Sequence, residues 1–249
     1  MPEDLTVEHE RAYKGLEALA RLVEDSSGAL QPAGEDVRPF FVAWGMLANV
    51  HRQAAAVVLL HRQGFGHETA PNRRSMLEHA AQVWWLAEDG PDAVDSMNHA
   101  LQYKQRKLRE ATDSAGITYD TTIADAAVVL PRSRAQTYNN MGHLLQRIGA
   151  PLHAIYAGES LLSHATLTSA ERFYAGVDAE TVHLLSEPQY PQHAPSPDGR
   201  APYIALVLTW FAMSCFNQLL AGQPWSAELQ LVARETGIED IAAHTNGAH

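Results

Sequence analysis

Apolar positions recur every three to four residues along most of the chain. They crowd most densely from Ala70 to Glu88, APNRRSMLEHAAQVWWLAE. On a helical wheel at about 100° per residue with Arg74 at the origin, Glu78 falls at about 40°, Trp85 at about 20°, Ala81 at about 340° and Leu77 at about 300°. Met76, Ala80, Val83 and Ala87 occupy the opposite side. A helix apolar almost all the way round is surrounded by protein. Charges inside it are costly unless paired, so Arg74 and Glu78, at i and i+4, are expected to be buried together and coupled to a further polar group.

The same periodicity predicts helices at about 5–24, from Pro39 to a cap at Gly64, from Ala70, at about 92–113 after the Asp89-Gly90-Pro91 break, at 135–148 and 152–165, and at about 203–221 and 226–236. Thr122–Val129 reads as a short helix stopped by Pro131, and 166–179 as a helix or ordered loop. Residues 26–34 form a loop by their Ser, Gly and Pro content. The five prolines of 186–202 mark an ordered surface loop, and 243–249 a frayed tail. No alternating strand pattern of useful length appears. The expectation is an all-α fold: one domain over 1–249, a bundle of about seven or eight helices.

The uncharged stretch from Ala201 to Ser226 is long enough to cross a bilayer. It nevertheless carries Thr209, Ser214, Asn217 and Gln218, and no Lys/Arg cluster flanks its end. A central buried helix is expected, with no membrane partner. The formal net charge of −11 argues against a wide, sequence-independent grip on phosphate backbones, although a local basic pocket is compatible with it. The lone Cys215 has no partner for an intramolecular disulfide. The N-terminal MPEDLTVEHERAYKG is acidic, with no apolar core to serve as a secretion signal, so the cytoplasm is the expected compartment.

Thirteen histidines make chance patterns common. His51 shares a helical face with Trp44, Leu47, Ala55 and Val58, and is expected as a core histidine with its hydrogen bonds met. Glu180-Thr-Val-His183 is the one Glu-x-x-His pair, where a di-iron bundle needs two. There is no HExxH, zinc spacing, P-loop, dinucleotide fingerprint or GxSxG, so no metal and no cofactor are expected.

Two stretches remain. One is Arg73-Arg74-Ser75-Met76-Leu77-Glu78-His79. In the other, Tyr156-Ala-Gly-Glu159-Ser160-Leu-Leu-Ser163-His164-Ala-Thr166, polar groups recur at helical spacing and can face a shared partner. The plainer alternative is that Ser160, Ser163 and Thr166 only cap the helix end.

A Gly-rich turn before an apolar helix bearing R-S-x-L-E-H, followed by a later Y-x-x-x-S-x-x-x-H helix, resembles a bacterial family of unknown function that is itself similar to the HEPN group of all-helical proteins. The resemblance spans roughly residues 40–175. It implies a HEPN-like fold and a homodimer in which an Arg and a His, four to six residues apart, cut RNA without metal in host defence, or an inactive relative of such a nuclease. Arg74 with His79 fits that spacing, as do Arg73 with His79 and Arg147 with His153. In the nuclease reading His79 is the base, Arg74 the phosphate clamp and Glu78 its neighbour. In such nucleases a polar residue usually follows the Arg directly, often Asn or His, and here it is Ser75. Arg74 and His79 also lie about 140° apart on the wheel, so one straight helix does not aim both at one phosphate. The competing reading is a non-catalytic or small-molecule-binding protein. There Arg74, Glu78, Tyr103, Tyr156, Ser160 and His164 line an internal polar pocket among Trp44, Trp84 and Trp85.

Overall fold

The computed structural model of the chain describes residues 3–26, 30–118, 134–176, 182–190 and 197–239. Four long helices open the chain: α1 (Glu3–Ser26), α2 (Arg38–Arg62), α3 (Ala70–Asp89) and α4 (Pro91–Ser114). The last three each carry a proline in the first turn, where a missing N–H leaves no bond unmade. Gly64 (φ +85°) ends α2. Gly90 (φ +54°, ψ −126°) separates α3 from α4 in a conformation that side-chain-bearing residues rarely adopt.

A 3-10 segment, Arg134–Asn139, leads to α5 (Met141–Ile148), capped by the Asn140 side chain accepting from the His143 N–H at 3.2 Å. Gly149 alone divides it from α6 (Ala150–Ser163). One turn of helix, α7 (Leu167–Ala170), and a 3-10 turn come next, then the antiparallel pair β1 (Tyr174–Gly176) and β2 (Val182–Leu184). The chain closes with α8 (Pro197–Gln218) and α9 (Ser226–Thr236). The fold is predominantly α-helical, as the periodicity implies.

The core has α2, α3 and α8 at its centre. α6 packs on α3, while α1 and α9 pack on α8. Val50, Val57, Met76, Leu77, Ala80, Val83, Leu206 and Phe216 are all fully buried at these contacts. Each large apolar side chain so placed contributes about 1.5–3 kcal/mol relative to exposure. α1 comes close to its neighbours at Gly15, where an added Cβ would lie 2.7 Å from Thr236 Cγ2 and 2.8 Å from a Leu206 methyl.

Four stretches differ from expectation. The loop expected over 186–202 gives up its last six residues to α8, which starts at Pro197 and runs through Pro202. Pro197 is pre-set for a helix start, and Pro202 gives up one ladder bond. The apolar length of α8 outweighs that loss, because it is sunk among α1, α2 and α3. His9, 6% exposed, adds a hydrogen bond from α1 to the Gly199 carbonyl at 2.9 Å. The helix expected at 135–148 is 3-10 in its first part, and residues 166–179 supply the short α7 and β1. The loop expected at 26–34 is partly pinned, with Ala33 N–H donating to the Leu219 carbonyl and Ala221 N–H to the Gln31 carbonyl, both at 2.9 Å. The expected Thr122–Val129 helix, Glu180 and the 243–249 tail lie outside the described residues. Among the described residues no helix is long and apolar enough to cross a membrane.

Candidate functional site at the α3–α6 seam

The arginine that the core swallows is Arg73, not Arg74. Its side chain is 0% exposed and forms a bidentate pair with Glu159 of α6, Nε to Oε1 and Nη2 to Oε2, each 2.9 Å. Nη1 donates to the Gly66 carbonyl at 3.0 Å and to Thr69 Oγ1. Thr69 in turn closes the 3-10 turn before α3 by donating to Gly66 at 2.6 Å. A planar guanidinium with five donors suits this task, since it satisfies a carboxylate on one edge and a turn on the other. The arrangement locks α6 across the start of α3. Beside it His67, nearly buried, bonds to the Tyr190 hydroxyl, and Arg172 lies over the Tyr190 ring at 5.1 Å. The first residues of the proline-rich segment are thereby tied to the same turn.

Arg74 sits one step round the helix and reaches the surface. It donates from Nε to Glu78 at 3.1 Å and from Nη2 to the Tyr156 hydroxyl at 3.2 Å, with its guanidinium 5.2 Å from the Tyr156 ring centre. Nη1 meets His164 Nε2 at the C-terminal cap of α6. A guanidinium only donates, so this imidazole nitrogen accepts. Glu78 is thus joined to α6 through Arg74. The side chains of Arg74 and Glu78 are 22% and 35% exposed, which corrects the expectation that they are buried together. The wheel explains the exchange: Arg73 falls at about 260°, between Leu77 and Ala80 on the side with the most burial. Glu159 is likewise in register with Leu152 and Ile155 on the inward face of α6.

The other expected site residues scatter. His79 donates from Nδ1 to its own helix, to the Ser75 carbonyl at 2.7 Å, and none of the described contacts of Arg74 involves it. Tyr103 is 53% exposed on α4, with Arg106 over its ring. Trp44 packs on Phe216, and Trp85 donates to Asp89 at 2.9 Å. Trp84 lies under Arg147. None of these described contacts joins a tryptophan to Arg74. Arg147 pairs bidentately with Asp89 at 2.7 and 2.8 Å, so it is a staple between α5 and the end of α3. The Arg147 guanidinium holds the Asp89 carboxyl below the usual carboxylate range.

Two residues of the α6 stretch do cap. Ser163 donates to the Glu159 carbonyl at 2.6 Å, and Thr166 forms a capping box with Ser169. Ser160 does neither: its hydroxyl is buried without a hydrogen-bond partner among the described residues, one helical turn from both Tyr156 and His164. Chemically, the seam offers a partly exposed cation, a phenol, an imidazole and a carboxylate, drawn from α3 and from α6 with its C-terminal cap. Among the described residues no cluster of three or more His, Cys, Asp or Glu is placed to hold a metal ion.

No curated protein and no solved structure matches the chain. A family model does, over residues 40–181, taking in nearly all of α2 and running through α7 and β1, more than half of the chain. The protein belongs to that family, a family of unknown function (DUF5677).

Proposed function

We propose that the α3–α6 seam binds a phosphodiester and cleaves RNA without metal, with Arg74 as the phosphate clamp and His164, rather than His79, as the general base. The observation that carries this reading is the meeting of Arg74, Tyr156 and His164, residues 82 and 90 positions apart in sequence, at a solvent-open seam. An anion that takes the two Nη groups of Arg74 displaces His164 Nε2. That leaves its lone pair beside the same phosphate, where it can accept the 2′-hydroxyl proton. The 2′-oxygen attacks the phosphorus as the P–O5′ bond breaks, leaving a 2′,3′-cyclic phosphate and a 5′-oxygen that takes its proton from water; Arg74 balances charge developing on the phosphoryl oxygens, and Tyr156 supplies one more donor. The HEPN resemblance supports the same class of chemistry, with a different histidine doing the work. The reading places the protein with RNA in the cytoplasm, as a homodimer of the kind the resemblance implies.

Single-stranded RNA incubated with excess chelator tests it. The expected result is cleavage that needs the 2′-hydroxyl, falls at least about 100-fold in Arg74→Ala and His164→Ala, and survives in His79→Ala. Loss in His79→Ala with retention in His164→Ala would restore the sequence-adjacent motif and overturn this assignment. Light scattering checks the dimer.

A second reading has its own observation, the unpartnered Ser160 hydroxyl. A buried polar group without a partner costs stability, and a bound small molecule would satisfy it. In that case the seam holds a ligand without turnover. RNA stays intact, Arg74→Ala abolishes retention of the ligand seen by native mass spectrometry, and Ser160→Ala weakens it.

A further inference from the structure

Between α1 and α2 lies a groove of about 340 Å³. That volume lies within the roughly 300–1,000 Å³ typical of small-molecule sites. Leu16 and Ala20 of α1 face Ala54, Ala55, Val58 and Leu59 of α2 across it, and His51 is part of its wall. Contrary to the expectation of a satisfied core histidine, His51 Nε2 is buried with no hydrogen-bond partner among the described residues. Leu59, at the groove's edge, is 65% exposed.

We propose that this groove is a binding site for a small neutral amphiphile, an apolar body of about eight carbons carrying one hydroxyl or amide that pairs with His51. The apolar walls account for the body of the ligand, and the orphaned imidazole for its single polar group. Burial pushes His51 down to about 4, so at neutral pH the ring is uncharged and offers no countercharge to a buried anion. The one cation in the lining, Arg62, has a side chain 48% exposed, lies over the Tyr13 ring at 4.4 Å and faces Glu17 at 3.9 Å. Binding here is independent of the reading given for the α3–α6 seam, with which the groove shares no residue.

1-Octanol and octanoate, titrated into the full chain by calorimetry, form the test. The expected result is one saturable site for 1-octanol, with octanoate at least about 10-fold weaker. Ala55→Trp, a change on the exposed side of α2 that fills the groove, should abolish binding. His51→Leu should weaken 1-octanol about 10-fold, and His51→Gln, which keeps a hydrogen-bonding group, should recover most of it. Helical circular dichroism confirms that each variant is folded. The proposal is overturned if 1-octanol does not saturate, if Ala55→Trp binds as the parent does, if octanoate binds as tightly, or if His51→Leu leaves affinity unchanged.

Discussion

Arg73 and Arg74 are adjacent in sequence and opposite in energetics. Arg73 is withdrawn from water with Glu159, and removing either partner strands a charge in the core. Arg73→Met is therefore expected to cost about 3–5 kcal/mol in urea unfolding. Glu78→Gln breaks a pair that still sees solvent, and is expected to cost less than about 1 kcal/mol. Equal losses from the two substitutions would show that burial is misassigned. His51 makes a third residue-scale case. Its folded pKa is about 4, against 6.5 as the ordinary value, so the unfolded chain binds the extra proton between those two pH values. Stability is therefore held at neutral pH and is lost as pH falls from 6.5 toward 4, by on the order of 3 kcal/mol from this residue alone. His51→Leu removes that slope and the unmet nitrogen together. Comparing melts of parent and variant at pH 7 and pH 4.5 checks the sign: the gap between them should widen in acid.

Among the elements, α3 is held at both ends by charge and along its middle by apolar contact. Its start is tied to α6 by Arg73 and its end to α5 by Asp89 and Arg147. Gly90 then turns the chain with a backbone that a Cβ would strain. Gly90→Ala is expected to cost about 1–3 kcal/mol and to loosen the α3–α4 junction, read as faster amide exchange there. α1 docks through the absence of a side chain at Gly15. Gly15→Ala must push aside Thr236 and Leu206, with an overpacking cost of about 1–3 kcal/mol at the melting transition. A surface alanine substitution on the outer face of α1 should stay within about 0.5 kcal/mol.

For the whole molecule, the family segment 40–181 holds the seam, but α8 supplies the third side of the core around α2 and α3. A fragment ending at residue 181 would leave α2 and α3 without the cover that α8 gives them. It is expected to keep helical circular dichroism while binding a hydrophobic dye and melting without cooperativity. A cooperative melt matching that of the full chain would show that α8 is dispensable. The charge of −11 also sets an expectation for RNA. With Arg74 as the seam's cation, the slope of log affinity against log salt should be near −1, since each phosphate neutralised on a single strand contributes about −0.7. A slope several times steeper would mean a basic surface elsewhere.

Helix type and most helix boundaries follow from local information, the 3.6-residue apolar period and the placement of Pro39, Gly64, Gly90 and Pro91. Both halves of the seam, 73–79 and 156–164, could be picked out the same way, because polar groups at helical spacing stand out on apolar helices. Which arginine is buried depends on where α6 lands against α3, a contact between residues 86 positions apart that periodicity along one helix does not encode. The i, i+4 spacing of Arg74 and Glu78 does give the pair, but spacing along one helix does not fix its burial, which falls to Arg73 on the inward side. His164 joined Arg74 only once α6 was laid across α3, whereas His79, five residues along the same helix, was turned away by the helix itself. The start of α8 at Pro197 was decided in the same manner. Proline and glycine set a local preference for loop, and burial of the long apolar helix in the core outweighed it.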